Sequence, residues 1–254
     1  MFKNLFYTCV HLQKKYIDMF FLLYCSLKKF NKNENYDILI LCDNMTEIYL
    51  KEIFKEQNNI FYYKLDCNSV FDAAANKLKI YEYPRIDQYL NIVYLDSDII
   101  VCKDITFLFD LSNDNYLCAV SQDFDINHLD FSLNLYDKKT LDKINDKKPA
   151  NSGFYIMKNN SYIKQLFWAM NDLIHTYKQN KTELPACLEQ PFFNHILYTF
   201  NYINVDILSN YLEFNVLNID DLKRDTILIH FCGGPGTYWS KLPKMIEISQ
   251  QLKL

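Results

Sequence analysis

The stretch Ile92-Val93-Tyr94-Leu95-Asp96-Ser97-Asp98-Ile99-Ile100-Val101 places two carboxylates one residue apart between two apolar, largely β-branched runs. A segment apolar on both flanks reads as a strand buried in a parallel sheet, and carboxylates are rarely left inside a core without partners. The strand is therefore expected to end at Leu95, so that Asp96 and Asp98 emerge at its carboxyl end, where open α/β sheets bind ligands. Two hard oxygen ligands at that point suit Mg²⁺ or Mn²⁺ carrying a phosphate. The plainer reading is a pair of aspartates capping a turn.

Outward from this strand the pattern repeats. Leu5 to Val10, Asp37 to Cys42 and Ile60 to Leu65 read as strands, and Tyr16 to Phe30, Thr46 to Gln57 and Val70 to Tyr83 as the helices between them, the last closed by Pro84. Strands alternating with helices predict βαβ units and a mainly parallel, Rossmann-like sheet flanked by helices, with the Asp-Ser-Asp strand about the fourth. Beyond Val101 the rhythm changes. Leu117 to Ser121, Phe154 to Met157 and Thr226 to Phe231 read as strands, and Ser161 to Tyr177, Leu188 to Tyr198 and Pro243 to Leu252 as helices. The polar segment Asp123 to Lys148 reads as a partly helical excursion over the site. Without an internal repeat or linker, 1–254 reads as one domain, with 1–101 its nucleotide-binding half ending in the Asp-Ser-Asp motif and 102–254 its acceptor side together with a C-terminal ligand motif. A strand ending in Asp-x-Asp also opens phosphohydrolases of the haloacid dehalogenase type, whose first Asp is the nucleophile, so the rest of the chain has to decide between them.

Composition narrows the choice. A net charge of -4 argues against a nucleic-acid binder driven by phosphate neutralisation. Heavy use of Asn, Lys, Ile, Tyr and Phe beside only 4 Gly reads as the codon bias of an AT-rich genome. The 8 cysteines are scattered without a Cys-x-x-Cys pair and read as reduced core residues. No signal-peptide order opens the chain, and the apolar run Met19 to Cys25 is too short to span a bilayer, so a cytoplasmic protein without a transmembrane segment is expected; a homodimer is compatible with the sequence.

Glycine is concentrated. Gly153 lies in Asn151-Ser152-Gly153, and the other three, Gly233, Gly234 and Gly236, lie in His230-Phe231-Cys232-Gly233-Gly234-Pro235-Gly236-Thr237-Tyr238-Trp239. A chain that otherwise avoids Gly keeps it where the backbone needs positive φ or where a ligand comes close. Amide N–H groups of Gly233 to Gly236 are suited to phosphate oxygens.

Taken in order, these pieces resemble the family 8 glycosyltransferases, the group that includes glycogenin and bacterial lipopolysaccharide galactosyltransferases, over nearly the whole chain. Phe6-Tyr7-Thr8, Tyr16 and Leu22-Leu23-Tyr24-Cys25-Ser26-Leu27 are similar to the family's first strand and helix. Asn76-Lys77-Leu78-Lys79-Ile80-Tyr81-Glu82-Tyr83 resembles its basic segment, Tyr94-Leu95-Asp96-Ser97-Asp98 its metal motif, and Asn151-Ser152-Gly153-Phe154 the stretch near the donor sugar. Glu189-Gln190 resembles its acid-plus-Gln pair, and His230-Phe231-Cys232-Gly233 its C-terminal motif. The phosphohydrolase reading predicts none of the later pieces.

The resemblance implies a GT-A fold and transfer of a hexose from a UDP-sugar to a carbohydrate or protein hydroxyl, with retention at the anomeric carbon. It implies Asp96, Asp98 and His230 as metal ligands. Mn²⁺ is then expected ahead of Mg²⁺, because an imidazole shifts preference from the hardest cation. Thr8 and Tyr16 would contact uracil, Asp43, from its place at the end of the second strand, the ribose or base region, and Lys77, Ser97, Ser152, Gly153, Gly233 and Gly236 the sugar diphosphate. Asn151, Glu189 and Gln190 would line the reacting sugar; from the residues alone, Glu189 after Pro185 reads nearly as well as an acid at a helix N-terminus. One departure stands out. The family continues to a Lys-Pro-Trp whose lysine meets the diphosphate, whereas here the chain reads Gly236-Thr237-Tyr238-Trp239, leaving Lys241 or Lys244 as the substitute. A nucleotide-sugar-binding protein that has lost transfer is the alternative this departure suggests.

Overall fold

The computed structural model describes residues 3–11, 13–32, 35–132, 135–180, 185–233 and 241–254. The first half runs β1 (Lys3–Val10), α1 (Lys14–Phe30), β2 (Tyr36–Cys42), α2 (Asn44–Ile53), β3 (Ile60–Lys64), α3 (Val70–Ala75), β4 (Tyr89–Leu95) and β5 (Ile99–Val101). It continues through β6 (Leu117–Ser121), α4 (Leu129–Ser132), α5 (Lys138–Ile144), β7 (Ala150–Lys158), α6 (Ser161–Asn180), α7 (Gln190–Thr199), β8 (Ile203–Asn204), β9 (Leu212–Phe214), β10 (Leu228–His230) and α8 (Lys241–Gln251). No helix among the described residues is long and apolar enough to cross a membrane.

A seven-stranded sheet in the order β3-β2-β1-β4-β7-β6-β8 forms the centre, and among its strands β7 alone runs against the rest. Alternation along β1 splits the core between the two faces. Leu5 and Tyr7 face α3, α6 and α7, where Phe71, Phe167, Phe192 and Phe193 pack. Phe6 and Val10 face α1 and α2, against Phe20, Leu23 and Leu50. On β4, Ile92 and Tyr94 join the first cluster and Val93 and Leu95 the second. The strand ends at Leu95 as expected.

Ile99 to Val101 does not continue it. That run forms β5, in a second sheet of order β5-β10-β9, covered by Met19 of α1 and by Met245 and Ile248 of α8. Ser26 of α1 closes this junction by accepting the Val101 N–H at 3.0 Å. Val70 to Tyr83, expected as one helix, is broken in two: α3 stops at Ala75 and the chain tightens into a 3-10 helix over Asn76–Glu82, kinked at Lys79. The side-chain amide of Asn76 donates to the Asp66 carbonyl at 3.1 Å, and Lys77 is drawn inward beneath the sheet's end, a geometry a straight helix would not give. Short 3-10 stretches of this kind often mark functional positions. Asp123 to Lys148 carries α4 and α5, in agreement with a partly helical excursion.

Candidate active site

Asp96 leaves β4 and its N–H donates to the Gly153 carbonyl of β7 at 2.8 Å, while the Asp98 carbonyl accepts from Phe231 N at 3.0 Å where β5 meets β10. The Asp-Ser-Asp turn is thus the hinge between the two sheets, with Ser97 buried in its middle. β10 pairs antiparallel with β5, setting His230 opposite Ile99 and bringing an imidazole from far along the chain beside Asp98. Ligand atoms of Asp96, Asp98 and His230 lie within 4.8 Å of one another. His230 Nε2 is 3.1 Å from Asp98 Oδ1 and 3.8 Å from Asp96 Oδ2.

This set fits a divalent cation. A carboxylate oxygen and an imidazole nitrogen at 3.1 Å repel unless a proton or a cation lies between them. Two carboxylates plus one imidazole form a mixed O/N donor set. Gly153 shows how tightly the three are held: a Cβ there would lie 2.6 Å from Asp96 Oδ2 and closer still to the His230 ring. The glycine serves close approach, and it is delivered by a bulge: β6 pairs Ala119 with Tyr155 and then Val120 with Asn151, so Ser152 to Phe154 bow away from β6. Asn151 fixes that bulge, its Oδ1 accepting the Gly153 N–H at 2.9 Å.

Beside the triad lies a buried ion network. Lys77 Nζ is 3.0 Å from Asp96 Oδ1 and 2.9 Å from Glu189 Oε1, donates to the Ser152 carbonyl at 3.4 Å, and sits 5.0 Å from the centre of the Tyr94 ring. Ser152 Oγ donates to the same Glu189 oxygen at 2.6 Å. Burial alone would pull the Lys77 pKa down, but Asp96 and Glu189 outweigh it and hold the ammonium charged. Glu189 stands at the N-cap position of α7 yet makes no capping bond; its carboxylate turns to Lys77 and Ser152 instead. Leu188 before it has φ 52°, a left-handed backbone that is strained in a branched residue and aims Glu189 inward. Gln190 begins α7 and donates to Gln122 Oε1 at 2.6 Å.

On the opposite flank, Lys241 at the start of α8 donates to Asp98 Oδ2 at 2.6 Å. Burial opposes ionisation of Asp98, yet Lys241 and His230 hold its carboxyl well below the usual range. Gly233 ends the described exit from β10, and Gly236 lies outside the described residues. Thr8 is buried in β1 with Oγ1 lacking a hydrogen-bond partner among the described residues. Tyr16 packs, half-buried, against the apolar clusters around α1. Asp43 caps α2, accepting from Thr46 N at 3.0 Å. Sequence reasoning passed over Tyr94, whose hydroxyl donates to Asp96 Oδ1. The signal was available, since residues two apart on a strand share a face. Nothing in the sequence signalled Gln122.

A mainly parallel sheet that ends in an Asp-x-Asp turn, with a distant histidine completing the ligand cluster, is the arrangement expected of a GT-A fold. The profile of Glycosyl transferase family 8 matches residues 7–242. The chain belongs to this glycosyltransferase family, and the phosphohydrolase alternative falls with that match. Among solved structures it is similar to the galactosyltransferase LgtC in complex with donor and acceptor sugar analogs, at 16% identity over 99% of this chain and 96% of that one, with a TM-score of 0.60. An active-site mutant of LgtC is similar at 15% identity over 98% and 95%, with a TM-score of 0.63. At such identities the likeness speaks for the fold. No curated protein sequence matches the chain.

Proposed function

We propose that the protein moves a hexose from a UDP-sugar to an acceptor hydroxyl with retention, as a single transferase domain whose residues 1–101 form the nucleotide-binding half and 102–254 the acceptor side together with the C-terminal metal and diphosphate motif. The observation that carries this reading is the convergence of Asp96, Asp98 and His230 on one point walled by Gly153, directly beside the buried Lys77–Glu189 pair. Asp96, Asp98 and His230 would hold the cation, Mn²⁺ ahead of Mg²⁺ because of the imidazole. When bound, such a cation supplies positive charge to the diphosphate as it leaves.

The chain's own residues supply the rest. Lys77 is a fixed positive charge at the floor of the site, preorganised by two carboxylates, and it needs no rearrangement to stabilise charge on a departing phosphate. Glu189 and the Ser152 hydroxyl form an acceptor-donor pair suited to orienting sugar hydroxyls, while Gln190, steadied by Gln122, presents an amide dipole to the reacting carbon. Lys241 and the N–H groups of Gly233 and Gly236 are assigned to the diphosphate, with Thr8 and Tyr16 toward the base. None of the 8 cysteines is in a disulfide, which supports the cytoplasmic placement included in this proposal.

Incubation with a panel of UDP-sugars and Mn²⁺, following UDP release and the anomeric configuration of the product, tests the reading. Metal-dependent release with retention is expected. Full turnover in EDTA would remove the metal from the mechanism, and tight UDP-sugar binding without release would favour a binding protein that has lost transfer.

A further inference from the structure

We infer that Lys241 is a built-in competitor for the cation at Asp98, and that it exchanges that carboxylate for the diphosphate of the nucleotide when the cation binds. This rests on the metal and UDP reading above and adds a coupling to it. The two motif aspartates each meet one lysine, but the lysines are held differently. Lys77 has Asp96, Glu189, the Ser152 carbonyl and the Tyr94 ring around it, and its side chain is 5% exposed. It belongs to the core and stays where it is.

Lys241 reaches Asp98 from the first residue of an eleven-residue helix. A cation at a helix N-terminus faces the positive end of the macrodipole, so the helix itself disfavours an ammonium there, and contact with Asp98 offsets this. The same position favours an anion, and a diphosphate would find both the helix end and the lysine charge. Asp98 Oδ2 takes Lys241 at 2.6 Å while Oδ1 faces His230 at 3.1 Å, so a cation bound at Asp98 and the Lys241 ammonium would compete for one carboxylate. Rotation about a flexible four-carbon stem suffices to move the ammonium. Cation and UDP are then linked: the cation frees the lysine for the diphosphate, and the diphosphate holds the lysine off the cation's ligand. Linkage of this kind is reciprocal.

The test is Mn²⁺ titration by electron paramagnetic resonance, with and without UDP, together with calorimetric UDP affinity at saturating Mn²⁺, on the parent, Lys241→Met, Lys241→Gln and the control Lys244→Met. In both Lys241 variants, Mn²⁺ affinity without nucleotide should tighten about tenfold while UDP affinity weakens about tenfold, opposite signs from one substitution. The enhancement of Mn²⁺ binding by UDP should shrink to match, and Lys244→Met should follow the parent. If the Lys241 variants bind Mn²⁺ no better than the parent, or weaken both ligands, the exchange is overturned while the metal reading stands. If no variant binds Mn²⁺ even with UDP, the metal reading itself falls and takes this inference with it.

Discussion

Asp96 and Asp98 are neighbours in sequence, yet their surroundings come from different parts of the fold. Asp96 follows the end of β4, and apart from His230 at 3.8 Å its partners Lys77, Tyr94 and the Gly153 carbonyl belong to the central sheet or the elements packed on it. Asp98 immediately precedes β5, and its partners His230 and Lys241 come from β10 and α8, late in the chain. The first aspartate is fixed by a large core, the second by strands of three residues and one helix end. Substitutions around Asp96 should therefore register as lost stability, and substitutions around Asp98 as altered ligand affinity.

The largest effect expected is at Lys77. Lys77→Met leaves Glu189 buried, and Asp96 partly so, without their cation, and removing one partner of a buried pair costs about 3–5 kcal/mol. Lys241→Met also opens a largely buried pair, but its partner Asp98 keeps His230 beside it, so the loss should be smaller than at Lys77. Urea unfolding of the two variants compares them directly. Equal losses would erase the distinction between the two aspartates.

Gly153→Ala probes the seam between them. Its Cβ would collide with Asp96 on one side and His230 on the other, both hemmed in by the core, and overpacking of that kind costs about 1–3 kcal/mol. Mn²⁺ binding should fall more steeply than stability, because the collision forces ligands of the two sheets apart. An alanine variant that binds Mn²⁺ like the parent would mean that the triad tolerates a wider spacing.

The central sheet should also carry the pH dependence of stability. Burial pushes the His11 imidazole down to about 4, against the pull of Asp43 at 3.7 Å and with Lys79 adding to the depression. The unfolded chain, near 6.5, binds the proton more readily than the folded one between those values. Stability from His11 is thus fully present above about pH 6.5 and is lost as pH falls toward about 4. Between about pH 7 and about pH 5 the loss should be on the order of 2 kcal/mol, read from urea midpoints, and His11→Gln should flatten it. An unchanged slope in His11→Gln would assign the acid sensitivity to other groups.

The same division explains what could be read from sequence. Strands β1 to β4 announce themselves through apolar runs, most plainly the Ile-Leu-Ile-Leu of β2, which is buried along its whole length, and with them the place where Asp96 and Asp98 surface. The second sheet leaves a fainter trace: Leu228–His230 falls within the run Thr226 to Phe231 that reads as a strand, but its pairing with Ile99–Val101 is written in neither run, and β9 carries no sequence signal. Contacts across the chain are likewise silent. That Gly153 exists to let Asp96 and His230 meet, or that Glu189 forgoes capping α7 for Lys77, depends on distances between segments that only the fold sets. Residue type marked these positions as unusual, and three-dimensional packing supplied the reason.

Asp43 gives the smallest effect and the sharpest test of a role read from its place at the end of a strand. It was assigned to the ribose or base region, and it ends β2 where such a contact is reasonable, but both its oxygens serve the local structure. Oδ1 accepts from Thr46 N at 3.0 Å and Oδ2 from Thr46 Oγ1 at 2.9 Å, closing the first turn of α2. Loss of an Asp N-cap costs about 1 kcal/mol, and Ser restores most of it, being a comparable cap. Asp43→Ala should therefore lower stability by about that amount, and Asp43→Ser should recover it. UDP affinity should stay within about twofold of the parent in Asp43→Ser, since a lost hydrogen bond to ribose would show as a larger change. A serine variant that regains stability but binds UDP about tenfold more weakly would place Asp43 on the nucleotide after all, with capping as its second duty.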